Sequence, residues 1–489
     1  MSDLPRPAAT SDDSLARQEP PLCVDLDDTL LRTDLLYETF LLLLKHSPWS
    51  LALIPLWLVK GRAYVKQEAG RRVAFAVAGL PYRSDLLSYL QSEQERGRRL
   101  ILVTAADESI ARKVQEHLSL FSEIIASNGA INLKGTVKAQ KLEERFGQGG
   151  FDYAGDSSAD LAVWRLARRA VVVSNSKRFI AAVNSVAPVE KSFPKSEGRL
   201  TALIAACRPH QWAKNILVFV PVLTAHQLTN PHALLSAAGA FVAFCLLASG
   251  VYLLNDMLDL EADRAHVTKR LRPLASGRIP IPVATILCLC LLLAGLSVGY
   301  FGGVTFLAIC SIYLASNIAY STWLKRVVML DVVVLACFYT LRLLAGGAAT
   351  GIGVSDWLLA FSVFFFFGLA MVKRYSELRS LTTREGVPVA ARGYLRSDLE
   401  PIGTFGVASG MISVLVLVLY VMSPEVRLLY RRPTLLLLLC PLFLYWITRL
   451  WFKANRGEVP QDPVVFALTD RTSYIAGVLA MIVLYCATI

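Results

Sequence analysis

The run Asn255-Asp256-Met257-Leu258-Asp259 continues to Asp263, Arg264, His266 and Lys269, then to Arg272-Pro273-Leu274-Ala275-Ser276-Gly277, directly after a long apolar stretch. Carboxylates at the end of an apolar span are costly unless a ligand or partner compensates them. At about 100° per residue, Asp256, Asp259 and Asp263 fall within roughly 60° of one another on a helix, and Asn255 widens the arc to about 100°. Several hard oxygen ligands on one face suit Mg2+, which keeps its waters and meets phosphates through one or two carboxylates. The bridged ligand would be a diphosphate, whose departure needs charge neutralisation by the metal and by nearby Lys and Arg. The structural alternative is a set of interfacial acids paired with Arg264 and Lys269.

A second set lies near the start of the chain. Val24-Asp25-Leu26-Asp27-Asp28-Thr29-Leu30 follows a short apolar run, so its acids are expected to project from a strand end. An Asp nucleophile two residues before an Asp acid/base lets a phosphoryl group be taken onto a carboxylate and then released. Further on, Leu100–Val103 leads to the hydroxyl of Thr104, and Gly135-Thr136-Val137-Lys138 presents a lysine. Tyr153-Ala154-Gly155-Asp156-Ser157-Ser158-Ala159-Asp160 then supplies a strand-end acid pair.

The elements that must hold these residues divide the 489-residue chain into zones. Residues 1–20 read as a disordered tail without an apolar signal region, so the domain after it is expected in the cytosol. Residues 21–188 alternate short apolar strands, such as Leu100–Val103 and Ala170–Val173, with charged helical stretches, an α/β pattern. A polar linker is expected at 189–200, and residues 201–489 read as a membrane domain. A hydrophobic content of 54%, with only 18% charged residues, suits a polytopic membrane protein. The net charge of +12 sits between apolar spans, which points to anionic lipid and phosphate-bearing substrates and away from nucleic acid. The nine cysteines form no CxxC pair, which argues against structural zinc or a disulfide framework.

Nine stretches approach the spanning length of about 20 residues. They lie near 216–228, 232–254, 281–300, 302–320, 327–350, 356–372, 403–422, 433–452 and 473–489. Cations gather in alternate loops: Arg264, Lys269, Arg270, Arg272 and Arg278; then Lys325 and Arg326; then Lys373, Arg374, Arg379, Arg384, Arg392 and Arg396. The positive-inside rule places those loops in the cytosol. Leu41–Val59 is apolar but interrupted by Lys45, His46, Pro48 and Pro55, too broken to span. It is either a pair of cap helices or a cap that rests on the membrane surface and admits a lipid-linked substrate.

The run Asn255-Asp256…Asp259…Asp263…Arg272-Pro273…Ser276-Gly277, followed by Tyr320-Ser321…Leu324-Lys325…Asp331, resembles the UbiA superfamily of intramembrane prenyltransferases over about residues 200–489. The resemblance implies a nine-helix all-α bundle with a central cavity, two Mg2+ ions and a diphosphate between two acidic motifs. Asn255, Asp256, Asp259, Asp263 and Asp331 would hold metal, with Asp256 and Asp259 catalytic. The second motif departs from the superfamily's two acids four apart, because Val327 and Leu335 stand at that spacing from Asp331. Arg208-Pro209-His210-Gln211-Trp212-Ala213-Lys214-Asn215, Lys373-Arg374-Tyr375-Ser376-Glu377 and Asp462-Pro463…Asp470-Arg471 look like the decaprenyl-phosphate phosphoribosyltransferase branch. That branch implies phosphoribosyl pyrophosphate as donor and a polyprenyl phosphate as acceptor. Substrate would meet Lys214, Asn215, Lys269, Arg272, Tyr320, Lys325, Lys373 and Arg374. Prenyl transfer from a prenyl diphosphate to an aromatic or quinone acceptor is the alternative.

The N-terminal set has the order and spacing of the haloacid dehalogenase (HAD) superfamily, which residues 21–180 resemble. The resemblance implies an α/β Rossmannoid phosphatase with a helical cap over about residues 35–94. Asp25 would be nucleophile and Asp27 acid/base, while Thr104 and Lys138 would hold phosphoryl oxygens. Asp156 would bind Mg2+ with Asp25, and Asp27 and Asp160 would complete the site; Lys134 and Lys141 rival Lys138. A catalytically silent domain is the alternative. The expectation is a bifunctional inner-membrane enzyme with Mg2+ in both domains and both sites facing the cytoplasm, acting in sequence on one lipid.

Overall fold

A computed structural model describes residues 19–128, 131–195, 198–380, 393–459, 463–467 and 469–489. Most of the tail expected at 1–20 lies outside them, as do Arg384, Arg392 and Asp462. The chain divides into two compact units, residues 1–206 with 254–286, and residues 207–253 with 287–489.

Six parallel strands organise the first unit: β1 (Leu22–Val24), β2 (Leu100–Asp107), β3 (Glu123–Ser127), β4 (Asp152–Gly155), β5 (Ala170–Val173) and β6 (Val189–Phe193). Their order is β3-β2-β1-β4-β5-β6. β1, β4 and β5 are buried along their whole length, as strands covered on both faces must be. The order reverses between β1 and β4, and the crevice at the carboxyl ends of two such strands is where open α/β sheets bind ligands.

Two boundaries differ from the sequence reading. Val189–Phe193, inside the expected linker, is strand β6 paired with β5. Its Glu190, Lys191 and Ser192 are exposed, the polarity of a protected sheet edge, which reads as linker in sequence. The cap is shorter than 35–94. It comprises α1 (Leu35–His46), two short helical turns over Pro48–Leu53 and Ile54–Val59, and α2 (Arg62–Arg71), and a bridge between Leu31 and Tyr82 closes it. The next helix, α3 (Ser84–Glu95), instead buries Leu86, Tyr89 and Leu90 in the core with β1 and β2. α4 (Thr136–Phe146) follows β3.

Among the described residues, eight helices are long and apolar enough to cross a membrane. They are α5 (Pro231–Leu258), α7 (Ile281–Phe301), α8 (Val304–Thr322), α9 (Leu330–Thr350), α10 (Asp356–Ser380), α11 (Arg396–Met422), α12 (Pro433–Arg456) and α13 (Arg471–Thr488). A short helix, α6 (Leu260–Ala265), follows α5. The ninth expected span, at 216–228, is not one helix. The backbone runs through Arg199–Cys207, a tighter turn over Pro209–Phe219 and a short helix over Val220–Thr224. Pro209 and Pro221 each stand at the start of a new piece, because a proline lacks the N–H that would continue the preceding helix.

Candidate active sites

Asp25 and Asp156 follow the ends of β1 and β4, whose register pairs Val24 with Ala154. Lys138, in the first turn of α4, is 3% exposed. Its Nζ donates to Asp25 Oδ1 at 2.9 Å and to the Tyr153 hydroxyl at 2.9 Å, and lies 3.9 Å from Asp160 Oδ1. Lys141 is exposed beside Glu144, and Lys134 lines the neighbouring cavity. Of the three rival lysines, Lys138 is the one the structure shows touching Asp25. Asp160 folds back so that its Oδ2 accepts from the backbone N–H groups of Asp156 and Ser157 at 3.3 and 3.0 Å. Gly155 permits this, since a Cβ there would lie 2.8 Å from the Tyr153 ring and 3.0 Å from the Asp160 carboxyl.

Ligand oxygens of Asp25, Asp156 and Asp160 lie within 4.8 Å of one another, and no other trio of acidic, His or Cys residues among the described residues does so. Three converging carboxylates fit a hard divalent cation. Asp27, expected in the metal set, turns elsewhere: its carboxylate accepts from the Leu35 N–H at 2.9 Å. The unpaired N–H groups that begin α1 draw it there. Thr104 also departs from expectation. It is fully buried and its hydroxyl accepts from the Ala106 N–H at 3.0 Å, while Ala105 lines the cavity.

Two cations here carry no sequence mark. Lys66 of α2 donates to the Ala105 carbonyl at 2.7 Å and to Asn132 Oδ1 at 3.3 Å, inside a cavity of about 540 Å³ that Asp25 and Asp27 also line. Lys195, just beyond β6, donates to Asp156 Oδ2 at 2.6 Å. Burial pushes the Asp25 carboxyl up to about 7 against the opposing charge of Lys138, and pushes Asp28 up to about 6. Burial, reinforced by the charge of Asp34, holds Asp27 well above the usual carboxylate range. Burial lowers Lys66, and it raises Asp156 against the charge of Lys195. Burial works against a charged Lys138, but Asp25 and Asp160 outweigh it and raise its pKa.

The acidic run, which begins in the last turn of α5, departs from a single helical face. α5 ends at Leu258 and α6 begins at Leu260, with Asp259 between them at φ −98° and ψ 13°. Asp256 and Asp263 are both buried and share one guanidinium: Arg272 Nη1 lies 3.2 Å from Asp256 Oδ1 and 2.5 Å from Asp263 Oδ2. Arg272 thus bonds both Asp256 and Asp263, a partner the sequence reading did not name beside Arg264 and Lys269. The three acids do not converge as the first trio does. The Asn255 side-chain oxygen is buried with no hydrogen-bond partner among the described residues, an oxygen suited to a cation or to its hydration shell.

In the second unit, Asp331 is fully buried at the start of α9. One of its oxygens pairs with Arg374, and the other accepts from the Tyr394 hydroxyl at 2.6 Å. Arg374 also pairs with Glu377. Asp331 and Arg374, expected to hold metal and substrate, are therefore engaged with each other, as two buried charges of opposite sign must be. Asn215, expected at the substrate, is buried against Cys245 and accepts from Arg342 Nε at 2.8 Å. Arg342, unmarked in sequence, is buried in α9 and also donates to the Phe338 carbonyl at 2.6 Å.

Tyr320 packs edge-on to Phe338, and Lys269, Lys325 and Lys373 are half-buried. Lys214 edges a cavity of about 280 Å³ whose other walls include Phe365, Phe366, Phe443 and Trp446.

A model of the UbiA prenyltransferase family matches residues 216–487. The uncharacterized protein y4nM of Sinorhizobium fredii is 38% identical over 463 residues, covering 94% of this chain and 89% of that protein. An alignment of that extent takes in both the α/β sheet and the membrane helices. Nodulation protein NoeC of Azorhizobium caulinodans is 37% identical over 276 residues, 55% of this chain and 88% of that protein. Decaprenyl-phosphate phosphoribosyltransferase of Mycolicibacterium smegmatis is 36% identical over 221 residues, 44% of this chain and 68% of that protein.

Proposed function

Because the chain belongs to the UbiA prenyltransferase family, we propose that its membrane part moves a 5-phosphoribosyl group from phosphoribosyl pyrophosphate to a polyprenyl phosphate, and that its α/β part then removes the 5-phosphate. It is an integral membrane protein and a UbiA-type transferase. The observation that carries the choice of donor is the 36% identity to a decaprenyl-phosphate phosphoribosyltransferase.

In the transfer step an oxygen of the lipid phosphate attacks the ribose C1 as the bond from C1 to pyrophosphate breaks. A phosphate nucleophile needs no strong general base. Arg272 supplies a planar guanidinium beside Asp256 and Asp263, and Lys269 of the same unit adds charge for a diphosphate; within the second unit Lys214, Lys325 and Lys373 are the lysines available to an anionic substrate. The aromatic cavity beside Lys214 suits a prenyl chain with its phosphate at the lysine. Asp256, Asp259 and Asp263 with Asn255 would hold magnesium once a diphosphate draws Arg272 from the two acids it grips, and in the α/β part Asp25 and Asp156 beside Asp160 would hold it; in both places the ion would neutralise phosphate charge.

The α/β part follows HAD logic. Asp25 attacks the phosphorus while Asp27, whose burial keeps its proton on, gives that proton to the leaving ribose oxygen. Water, giving its proton to Asp27, then cleaves the aspartyl phosphate and frees inorganic phosphate. Lys138 balances the charge on Asp25. Trp49 and Val59 of the cap are each 87% exposed, and Ile54 and Leu58 of the same segment line the Asp25 cavity. An apolar cap beside a charged pocket suits a phosphate ester carried on a lipid at the membrane surface. The basic loops then face the cytoplasm with both sites.

Mass spectrometry of lipids made by the purified protein from polyprenyl phosphate and labelled phosphoribosyl pyrophosphate tests the reading. The expected product is polyprenyl phosphoribose without the 5-phosphate, and Asp25→Asn should accumulate the 5-phosphorylated lipid. Label incorporated only from prenyl diphosphate into an aromatic acceptor would refute the donor. Build-up of the phosphorylated lipid by the unmutated protein would refute the second step.

A further inference from the structure

Glu38 lies on the apolar face of α1 and is 3% exposed. Its carboxylate accepts from Arg264 Nη1 at 2.9 Å and Nη2 at 2.6 Å, and from the Thr33 hydroxyl at 2.7 Å. The same guanidinium donates from Nε to the Ala275 carbonyl at 3.1 Å. Arg264 is therefore a clamp: one side is held by the α/β cap, the other holds the turn that runs from Arg272 to Gly277. Its chain neighbour is Asp263, which with Asp256 grips Arg272.

Two further contacts lie at the same junction. Gly277, at φ +70°, nests against Arg32 so closely that a Cβ would lie 2.6 Å from the Arg32 backbone oxygen. Leu41 and Leu42 of α1 share a small pocket with Met257, Leu258 and Leu260. All these residues belong to the first unit. The first turn of α1, which carries Glu38, is anchored a second time, since the Leu35 N–H donates to Asp27.

A buried ion pair is seldom the cheapest way to join two surfaces, because apolar residues of similar volume stabilise as well or better. What a bidentate Arg–carboxylate pair adds is fixed geometry. We infer that Glu38 is a positioning residue for the diphosphate site: through Arg264 it sets the Arg272–Gly277 turn, so that a side chain of the α/β part governs how tightly the membrane part holds a diphosphate. This rests on the reading that Asp256, Asp263 and Arg272 serve a magnesium diphosphate.

The test is calorimetric titration of the full-length protein in detergent with magnesium pyrophosphate, which any diphosphate donor of this family would release. Glu38→Ala and Arg264→Ala should each weaken binding about tenfold or more. The double variant should be no weaker than Arg264→Ala alone, since both remove one linkage. Glu38→Gln, which keeps the shape and loses the charge, should fall between. Amide exchange in the peptide 273–279 should quicken in Glu38→Ala while β1 and β4 stay protected.

Binding by Glu38→Ala within twofold of the unmutated protein, or additive losses in the double variant, would overturn the inference. If Glu38→Ala does not fold, unchanged binding by Glu38→Gln overturns it instead. Pyrophosphate binding without phosphoribosyl transfer would sink only the choice of donor. No pyrophosphate binding by the unmutated protein would sink both.

Discussion

Replacing Lys138 by Met removes the ammonium that directly bonds Asp25, since Lys195 is held by Asp156 and Lys66 by the Ala105 carbonyl and Asn132. The lysine is buried, sits 2.9 Å from Asp25 and 3.9 Å from Asp160, and bonds the Tyr153 hydroxyl. Removing one partner of a buried pair costs about 3–5 kcal/mol, because the other charge is left stranded. The cost depends on pH, and the sign follows from Asp25. Its carboxyl is raised by burial to about 7 in the folded protein, so the folded state favours the protonated form. The stability this gives is full at acid pH and is lost as pH rises through about 7. Without the lysine Asp25 moves higher still, so the variant's extra penalty grows above neutrality. At pH 5.5 Asp25 carries its proton in both proteins, and a smaller deficit of about 1–2 kcal/mol remains from Asp160 and the lost hydrogen bond.

Hydrogen exchange of β1 and β4 peptides in EDTA reads this locally, where a global melt of a two-unit protein would not. At pH 8.5 exchange corrected for intrinsic rates should be roughly a hundred to several thousand times faster, at tenfold per 1.4 kcal/mol. At pH 5.5 the ratio should shrink to roughly tenfold. Lys141→Met, which removes an exposed contact to Glu144, should stay within about 0.5 kcal/mol at both pH values. A deficit that does not vary with pH, or one equalled by Lys141→Met, would refute the assignment of Lys138 to Asp25.

Three other outcomes are expected. Asp256→Asn should abolish transfer while the protein still elutes as a single species in detergent; retained turnover would remove the metal-diphosphate reading. Arg374→Met should destabilise the second unit by about 3–5 kcal/mol by stranding Asp331, whereas Asp331→Leu with Arg374→Met should recover most of the loss; unfolding midpoints in detergent check this, and equal losses would argue against a structural pair. Lys66→Met should raise KM for a phosphate monoester about tenfold and leave kcat within about threefold, as loss of a binding cation does; initial-rate kinetics decide it, and a fall confined to kcat would place Lys66 in the chemistry instead.

Elements with a strong period were legible in the sequence. Eight of the nine apolar stretches are helices; six match at both ends within about four residues, while α10 runs on to Ser380 past the expected 372 and α11 begins at Arg396 before the expected 403. The ninth failed because hydropathy does not register that Pro209 and Pro221 restart the backbone. β6 was missed because a sheet edge and a linker share the same polarity. Asp25, Lys138, Asp156 and Asp160 lie together because strand ends and a helix start place them. Asp331 and Arg374 behaved otherwise: they lie 43 residues apart, and nothing local shows that one neutralises the other. Lys66 and Lys195 reach their partners only through tertiary folding, so no spacing betrays them.

The salt link between Lys195 and Asp156 bears on how the α/β part could be isolated. The sheet ends at Phe193, a natural place to cut. A fragment trimmed there would lose the ammonium that holds Asp156 down against burial, and with it the Pro194 carbonyl that Arg83 reaches at 3.4 Å. The segment leading out toward the membrane is thus also furniture of the pocket, and an excised enzyme needs at least those two extra residues to keep its acids as the intact chain keeps them.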